Sequence, residues 1–389
     1  MPAALWALAI AAFGIGTTEF IIAGLLPAIA TEFNISVSNA GNMATSYALG
    51  VFLGSPLLMI LGAKVEKKKM LLFAMSLFIL GNFITSIAPY YWLAIVGRVI
   101  TSLCHGVFFG IGAILAASLV APNKRTSAIA FMFSGLALAN LVGIPAGTWF
   151  SYTVSWRATF YIITAVGVVA FLATFILVPK TSSHQPPSLK NEFSAFKNIH
   201  VLLAMGITVL GPAAFFTSIT YIAPMAEKIS GFSENGVTGL LFLFGLGLFI
   251  GNYLGGKLAD RALMPLLFIT LLGQAVILLI FYFVIENQIA SAICVFLMAA
   301  FGFATVSPIQ RLVMDKAIAV GAANLVSSVN IGFFNLGNAI GAWLGGVVIA
   351  AGFGYASPNW AGACLSIAAL ILAVLSTLLS KYNLEKQKN

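Results

Sequence analysis

Twelve apolar segments of about 20 residues recur along the chain and limit what it can fold into. An α-helix rises about 1.5 Å per residue, so each segment is long enough to cross a hydrocarbon core of about 30 Å. The segments are too long and too rich in glycine for the strands of a membrane β-barrel, which alternate apolar and polar residues. We therefore predict an all-α integral membrane protein, with spans at 5–29, 40–62, 70–88, 92–118, 127–150, 158–178, 200–224, 237–256, 264–285, 289–310, 321–349 and 358–380.

The composition excludes a soluble protein. The chain is 61% hydrophobic and 7% charged, with a mean hydropathy of +1.05, whereas about 25% of the residues in soluble domains are charged. The first segment lacks a basic flank and is too long for the apolar core of a cleaved signal peptide. The three cysteines all lie inside predicted spans at no metal-binding spacing, so we predict neither a metal site nor a disulfide.

The basic residues that give the net charge of +9 are concentrated in one set of predicted loops. If the N-terminus lies inside, 16 of the 19 basic residues fall on the inner side, and the outer loops hold only Arg157 and Lys228. This positive-inside pattern predicts that both termini are cytoplasmic and that the chain is a multi-pass protein of a bacterial-type inner membrane. It explains the positive charge without nucleic acid as a partner.

Short motifs repeat between the two halves of the chain. The sequence GAKVEK begins at Gly62, after span 2, and GKLADR begins at Gly256, after span 8, which is 194 residues later. At the same offset, GTW at Gly147 in span 5 matches GAW at Gly341 in span 11. Internal duplication of six-span halves is typical of secondary transporters, whose substrate sites lie near the membrane midplane.

The longest polar stretch separates the two halves. We predict two pseudo-symmetric bundles of six helices, residues 1–178 and 200–389, joined by a cytoplasmic linker, residues 179–199. Apolar residues recur within the linker at near-helical spacing. Part of it therefore either lies along the membrane surface or forms a flexible connection.

Two formal charges lie deep within the predicted spans. Glu19 in span 1 and Arg98 in span 4 each lie about 9 Å from the outer edge of the hydrocarbon core. A lone charge in the membrane costs at least about 2.5–3.5 kcal/mol, and such residues usually face a partner or a path for ions. Either the two form a fixed pair that joins two helices, or Glu19 binds a proton and Arg98 tunes it. His105 lies two turns after Arg98 and is either a proton relay or a neutral, hydrogen-bonded residue.

The spans of the second half carry amides and hydroxyls instead of charges. As a group they indicate a neutral or amphiphilic ligand that a few polar groups recognise in an apolar pocket. The alternative is hydrogen bonding between helices, worth about 0.6 kcal/mol for each bond. With two residues from the first half, the candidate substrate-binding residues are Tyr47, Asn140, Thr217, Tyr221, Asn252, Asn330, Phe334, Asn335 and Asn338.

Span 5 carries small residues and a proline in close succession. Gly135, Gly143 and Gly147 allow neighbouring helices to approach closely. Together with Pro145, they also interrupt the regular helix, as a rocking hinge would require. We predict that these four residues form such a hinge.

These motifs resemble the major facilitator superfamily over essentially the whole chain. The closest likeness is to its drug:proton antiporter branch, which includes arabinose-type sugar-efflux and chloramphenicol-resistance exporters. TEF followed by GLLP in span 1 and SWRATF from Ser155 carry that likeness. The family places an Arg four residues before a Gly in span 4, whereas here Arg98 precedes Gly106, with Ser102 in the family's glycine position.

The family also carries a loop of the form G-x-L-A-D-R-x-G-R after span 2. The second-half copy fits the first part of this motif, whereas the first-half copy has Glu66 in place of Asp and Lys69 in place of the second Gly. The span-5 antiporter motif has one residue inserted before Pro145. The resemblance implies a cytoplasmic gate that comprises Gly62, Glu66, Lys67, Gly256, Asp260 and Arg261.

We therefore predict a secondary active transporter that exports a small neutral or amphiphilic compound, such as a drug, a sugar or a related metabolite, by alternating access. The proton gradient supplies the energy, with no cofactor, and the protein acts as a monomer in the lipid bilayer. The alternatives are a proton-coupled uptake symporter and a membrane-embedded enzyme. The enzyme is disfavoured because His, Asp and Glu are not clustered and no ATP-binding G-x-x-x-x-G-K-[ST] motif is present.

Overall fold

The structure is a computed structural model. Every regular element among the residues that it describes is a helix, as predicted. These residues are 2–62, 65–121, 125–180, 196–259, 261–318 and 323–388. Asp260 of the predicted gate and most of the predicted linker, residues 181–195, lie outside them.

Contacts divide the chain into two compact units. The first comprises the described residues of 1–186 together with 232–245, and the second those of 187–231 together with 246–389. The predicted bundle boundaries at residues 178 and 200 stay a prediction.

The first unit is built from the helices of spans 1 to 6. They are α1 (Ala3–Phe20), α2 (Ile22–Glu32), α3 (Val37–Leu61), α4 (Lys67–Ile87), α5 (Tyr91–Ser118), α6 (Arg125–Leu138), a π-helix (Ala139–Gly143), α7 (Ile144–Thr153) and α8 (Trp156–Leu177).

The second unit follows the same plan. Its helices are α9 (Ile199–Ile219), α10 (Ile222–Lys228), α11 (Glu234–Ala259), α12 (Leu263–Val284), α13 (Gln288–Ala304), α14 (Val306–Ile318), α15 (Ala323–Val348), a π-helix (Ile349–Phe353) and α16 (Ser357–Lys388). Helix α11 contributes residues to both units.

The predicted spans all fall on helices. Eleven helical segments of the described chain are long and apolar enough to cross a membrane, and α3, with 25 residues, covers the remaining predicted span. Span 1 is divided at Ile21, between α1 and α2. Span 10 is longer than predicted, because the helical segment continues from Gln288 to Ile318.

Helix α5 is packed closely against both α3 and α4. A methyl group on Gly97 of α5 would lie 2.7 Å from the carbonyl oxygen of Gly81 on α4, and one on Gly106 would overlap Ser55 of α3. Small residues let the three backbones approach in this way. As a result, the side chain of Arg98 is fully buried and only 7% of His105 is exposed.

The SWRATF motif joins two helices at one end of the first unit. Ser155 caps α8 by accepting a hydrogen bond from the backbone N–H of Ala158 at 3.1 Å. Arg157 Nε donates to Glu32 Oε1 at 2.7 Å, and the indole N–H of Trp156 donates to the same carboxylate. These contacts join α8 to the end of α2.

Candidate functional site

Glu19 lies near the end of α1, in the interior of the first unit. Its side chain is 9% exposed, and its Oε2 atom lies 3.9 Å from Nδ1 of His105 on α5. This distance is too long for a hydrogen bond, but it is within ion-pair range when His105 carries a proton. The structure therefore brings together two of the three residues that the sequence predicts for proton coupling.

Arg98, the third of them, bonds to the residue beside Glu19. Its Nη1 donates to the carbonyl oxygen of Thr18 at 2.7 Å and to the Thr18 hydroxyl at 3.2 Å, and its Nε donates to the carbonyl oxygen of Met43 at 3.2 Å. Among the described residues no ion pair within 4.0 Å joins Arg98 to Glu19, so the fixed pair considered from the sequence is not formed. Glu19 and Thr18 are adjacent and lie at nearly the same depth in the membrane, so depth alone could not predict which of them Arg98 contacts.

Tyr47 belongs to this cluster, although the sequence suggested a role in substrate binding. Its hydroxyl lies 3.1 Å from Nδ1 of His105. The guanidinium carbon of Arg98 lies 4.3 Å from the centre of the Tyr47 ring, in cation–π geometry. Because Tyr47 is 2% exposed, it links two helices inside the first unit.

Two residues that sequence reasoning missed complete the cluster. The Thr18 hydroxyl donates to Oδ1 of Asn82 on α4 at 2.7 Å, and Asn82 Nδ2 donates to the carbonyl oxygen of Phe78 at 2.9 Å. Both Thr18 and Asn82 are fully buried. The amide of Asn82 within the otherwise apolar span 3 could have indicated a buried hydrogen-bond partner.

The buried cluster therefore consists of Thr18 and Glu19 on α1, Tyr47 on α3, Asn82 on α4, and Arg98 and His105 on α5. It combines a carboxyl group, an imidazole, a phenol and a guanidinium. The first two exchange protons in the physiological pH range when their surroundings favour it. The arrangement can hold a proton, but it offers no cluster of ligands for a metal ion among the described residues.

In the second unit, Asn330 connects three helices. Its Oδ1 accepts a hydrogen bond from Thr208 on α9 at 2.7 Å, and its Nδ2 donates to Gln310 on α14 at 2.6 Å. Asn335 and Asn338 follow on α15, 2% and 1% exposed. Within the described residues, Oδ1 of Asn335 and both polar side-chain atoms of Asn338 have no hydrogen-bond partner.

The other predicted substrate-binding residues have different surroundings. The Tyr221 hydroxyl donates to the carbonyl oxygen of Ala342, and the Thr217 hydroxyl donates within its own helix. Asn252 is exposed and Phe334 is half-buried. Tyr47 and Asn140 belong to the first unit and the other seven candidates to the second.

The span-5 residues lie against span 1. A methyl group on Gly135 would overlap the carbonyl oxygen of Ala9, and one on Gly147 would lie 2.7 Å from Ile21. The π-helix lies between these two glycines and ends two residues before Pro145. The backbone N–H of Ile144 bonds to the carbonyl oxygen of Ala139, five residues earlier. A proline cannot donate a backbone hydrogen bond, and such π-helical turns interrupt regular helices.

A cavity of about 230 Å³ lies beside this interruption, between spans 1, 5 and 6. Gly143 and Gly147 form part of its wall, and apolar side chains such as Phe13, Phe150 and Ile163 form most of the rest. Span 5 therefore borders an apolar cavity at the irregular turn.

Gly135→Ala is expected to destabilise the protein by about 1–3 kcal/mol, because the added methyl group meets the backbone of α1 rather than a flexible side chain. Gly239→Ala is the matched control, since a methyl group there meets nothing within 4 Å. Thermal unfolding of both variants in detergent measures the difference. Equal unfolding temperatures would contradict the close contact between spans 1 and 5.

The described residues of the predicted gate lie at helix ends. Glu66 precedes α4 and its carboxylate lies 4.0 Å from Nζ of Lys69, Lys67 is the first residue of α4, and Gly256 lies in the last turn of α11. The backbone N–H of Arg261 bonds to the carbonyl oxygen of Leu258 at 3.1 Å.

The sequence did not predict that a basic residue of α14, Arg311, contacts the end of α11. Arg311 Nη1 donates to the carbonyl oxygen of Ala259 at 2.9 Å, where the end of a helix attracts a cation.

Two units of membrane-spanning length, one with an ionisable cluster in its interior, are typical of secondary transporters. The sequence model of the Major Facilitator Superfamily matches residues 8–330. The chain belongs to this superfamily. Because its members are transporters, the prediction that the protein is not an enzyme is confirmed.

Known relatives extend over nearly the whole chain. The inner membrane transport protein YdhP of Escherichia coli strain K12 is 45% identical over 372 residues, which cover 96% of this chain and 95% of the relative. A chloramphenicol resistance protein of Streptomyces lividans is 28% identical over 381 residues, which cover 96% of each chain. The crystal structure of a D-xylose–proton symporter matches with a TM-score of 0.73 at 17% identity, over 95% of this chain and 96% of that one. This structural likeness confirms the predicted fold.

Proposed function

We propose that the protein is a proton-coupled exporter of a small neutral or amphiphilic compound, and that Glu19 is its proton-binding group. The observation that carries the proposal is the buried contact between Glu19 and His105, 3.9 Å apart in a cluster that Arg98 and Tyr47 complete. A charge in a membrane span is costly and usually marks a path for ions or substrate. Protonation of Glu19 removes that charge.

Export is favoured over uptake by the names of the relatives. The relative from Streptomyces lividans is a chloramphenicol resistance protein, and resistance is consistent with removal of the drug from the cell. The D-xylose–proton symporter shares only the fold at 17% identity. Uptake by symport is therefore the second candidate.

The remaining parts of the proposal concern placement and movement. We place the protein in the inner membrane, as the name of YdhP suggests for that relative, with both termini in the cytoplasm. The protein acts as a monomer of two six-helix bundles that give alternating access to the substrate. Span 5 bends at Gly143 and Pro145, and the acid and basic residues after spans 2 and 8 form the cytoplasmic gate.

Transport assays in proteoliposomes test the proposal. The protein is reconstituted with a pH-sensitive dye inside, and chloramphenicol, D-xylose and a panel of nucleosides and sugars are added in turn. Export by antiport predicts that at least one compound moves against the direction of the protons. Movement of every transported compound in the same direction as the protons would establish symport instead, and transport without proton flux would contradict proton coupling.

The second unit is expected to select the compound. Replacing Asn330 or Asn335 by Leu is expected to raise the KM for a transported compound roughly fivefold, because a hydrogen bond is worth about 1 kcal/mol. Asn335 Oδ1 has no partner among the described residues, and its Nδ2 donates to the carbonyl oxygen of Ile331 within its own helix. Replacing Asn335 should therefore weaken the fold less than replacing Asn330, which bonds to Thr208 and Gln310. Competition between compounds in the same assay measures the change, and an unaltered order of preference in both variants would contradict the assignment.

A further inference from the structure

Nδ1 of His105 has two neighbours that compete for it. The Tyr47 hydroxyl lies 3.1 Å away and Glu19 Oε2 lies 3.9 Å away. An imidazole nitrogen accepts a hydrogen bond when it carries no proton and donates one when it does. A phenol hydroxyl can donate to the bare nitrogen, whereas an ionised carboxylate can only accept from a protonated one.

The protonation state of His105 therefore decides which neighbour it binds. While Nδ1 is bare, the Tyr47 hydroxyl donates to it at the observed distance. Once Nδ1 carries a proton, the carboxylate of Glu19 is the stronger acceptor, because hydrogen bonds between ionised partners are shorter and stronger than neutral ones. Closing the separation of 3.9 Å to bonding distance requires a small turn of the two side chains.

Tyr47 also supports the positive charge of the cluster. The guanidinium of Arg98 lies over its ring at 4.3 Å and bonds to Thr18, which precedes Glu19 on α1. The hydroxyl and the ring of Tyr47 thus contact different partners, His105 and Arg98. A movement of the Tyr47 side chain therefore also moves the ring that the Arg98 guanidinium contacts.

The titratable and charged groups that the structure places around Tyr47 and His105 come from three helices. They are Glu19 on α1, Tyr47 on α3, and Arg98 and Cys104 on α5. The neighbouring Phe109 ring, 5.0 Å from the imidazole centre to centre, carries no charge. Only Glu19 and Tyr47 offer polar side-chain atoms within 4.0 Å of Nδ1 among the described contacts.

We propose that Tyr47 is a positioning residue of the proton site, whose hydroxyl holds His105 until the imidazole takes a proton from Glu19. In that transfer the O–H bond of the Glu19 carboxyl group breaks and an N–H bond forms at Nδ1 of His105. The proton is the only group that moves, and no further reactant takes part. This inference rests on the proposed function, since it deepens the role of the same site.

Nitrogen-15 NMR of histidine-labelled protein in liposomes tests this role without any substrate. The chain has three histidines, so the His105 signal is assigned by its loss in His105→Gln. At alkaline pH, Tyr47→Phe is expected to shift the Nδ1 signal to that of a nitrogen without a hydrogen-bond donor. The exposed Tyr253→Phe is the matched control and should leave the signal unchanged.

Two further variants separate positioning from general support of the fold. Tyr47→Phe keeps the ring beneath Arg98 and loses only the hydrogen bond to His105, so it should unfold at a temperature between those of the wild type and Tyr47→Leu. At an intermediate pH, at which Glu19 and His105 share one proton, Glu19→Gln should remove the signal shift of a protonated Nδ1 that donates to a carboxylate.

An unchanged alkaline signal in Tyr47→Phe would overturn the role of the hydroxyl, and an unchanged signal at intermediate pH in Glu19→Gln would overturn the exchange of partners. Failure of the proposed function would show differently, as proton-coupled transport that persists in Glu19→Gln.

Discussion

Glu19→Gln is expected to abolish proton-driven transport while the compound still equilibrates down its own gradient. Glutamine has nearly the same shape as protonated Glu19 and is neutral, but it neither binds nor releases a proton. The variant therefore resembles the protonated state permanently. An imposed pH gradient should then produce no more accumulation than protein-free liposomes, whereas exchange of labelled for unlabelled compound should continue.

Glu286→Gln provides the control for this experiment. Glu286 is an exposed acid after α12, so its replacement removes the same charge outside the buried cluster. We expect wild-type accumulation in this variant. Proton-driven accumulation that persists in Glu19→Gln would show that another group carries the proton.

Arg98→Leu is expected to destabilise the first unit by at least about 1.5–3 kcal/mol, the usual value of one hydrogen bond to a charged group. Arg98 is fully buried and donates to the carbonyl oxygens of Thr18 and Met43. Leucine would leave both acceptors without their donor. Thermal unfolding in detergent measures the loss.

Arg98→Lys tests whether the charge alone is sufficient for this stabilisation. Lysine keeps the charge but lacks the planar fork that reaches two helices at once, so we expect an unfolding temperature between those of the wild type and Arg98→Leu. Arg311→Leu removes a half-exposed arginine with one bond to Ala259 and should cost less. Equal stability of Arg98→Leu and the wild type would contradict the network described above.

The helical spans could be predicted from the sequence because each depends on a local property, a run of apolar residues. The irregular turn in span 5 was also predictable, since Pro145 lacks a backbone N–H. The extension of span 10 to Ile318 was not, because α14 continues past the apolar run into a segment with Arg311 and Lys316.

The contacts of the buried cluster depend on how helices are rotated, which the sequence does not reveal. Depth along two spans placed Glu19 and Arg98 at one level, but rotation directs Arg98 to Thr18 and leaves His105 beside Glu19. Thr18 and Asn82 were missed because small polar residues are common in membrane spans. The contact between Tyr47 and His105 joins residues 58 positions apart, and no local pattern signals it.

Infrared difference spectroscopy between acid and alkaline pH tests most directly whether Glu19 carries the proton. A protonated carboxyl group has a carbonyl stretch separate from the bands of ionised carboxylates, and the measurement requires no transported compound. The other acids of the chain also give such bands when protonated. We expect one band in the wild type that is present at acid pH, disappears at alkaline pH, and is missing at both from the spectrum of Glu19→Gln. A band that titrates in the same way in Glu19→Gln would contradict the assignment of the proton to this residue.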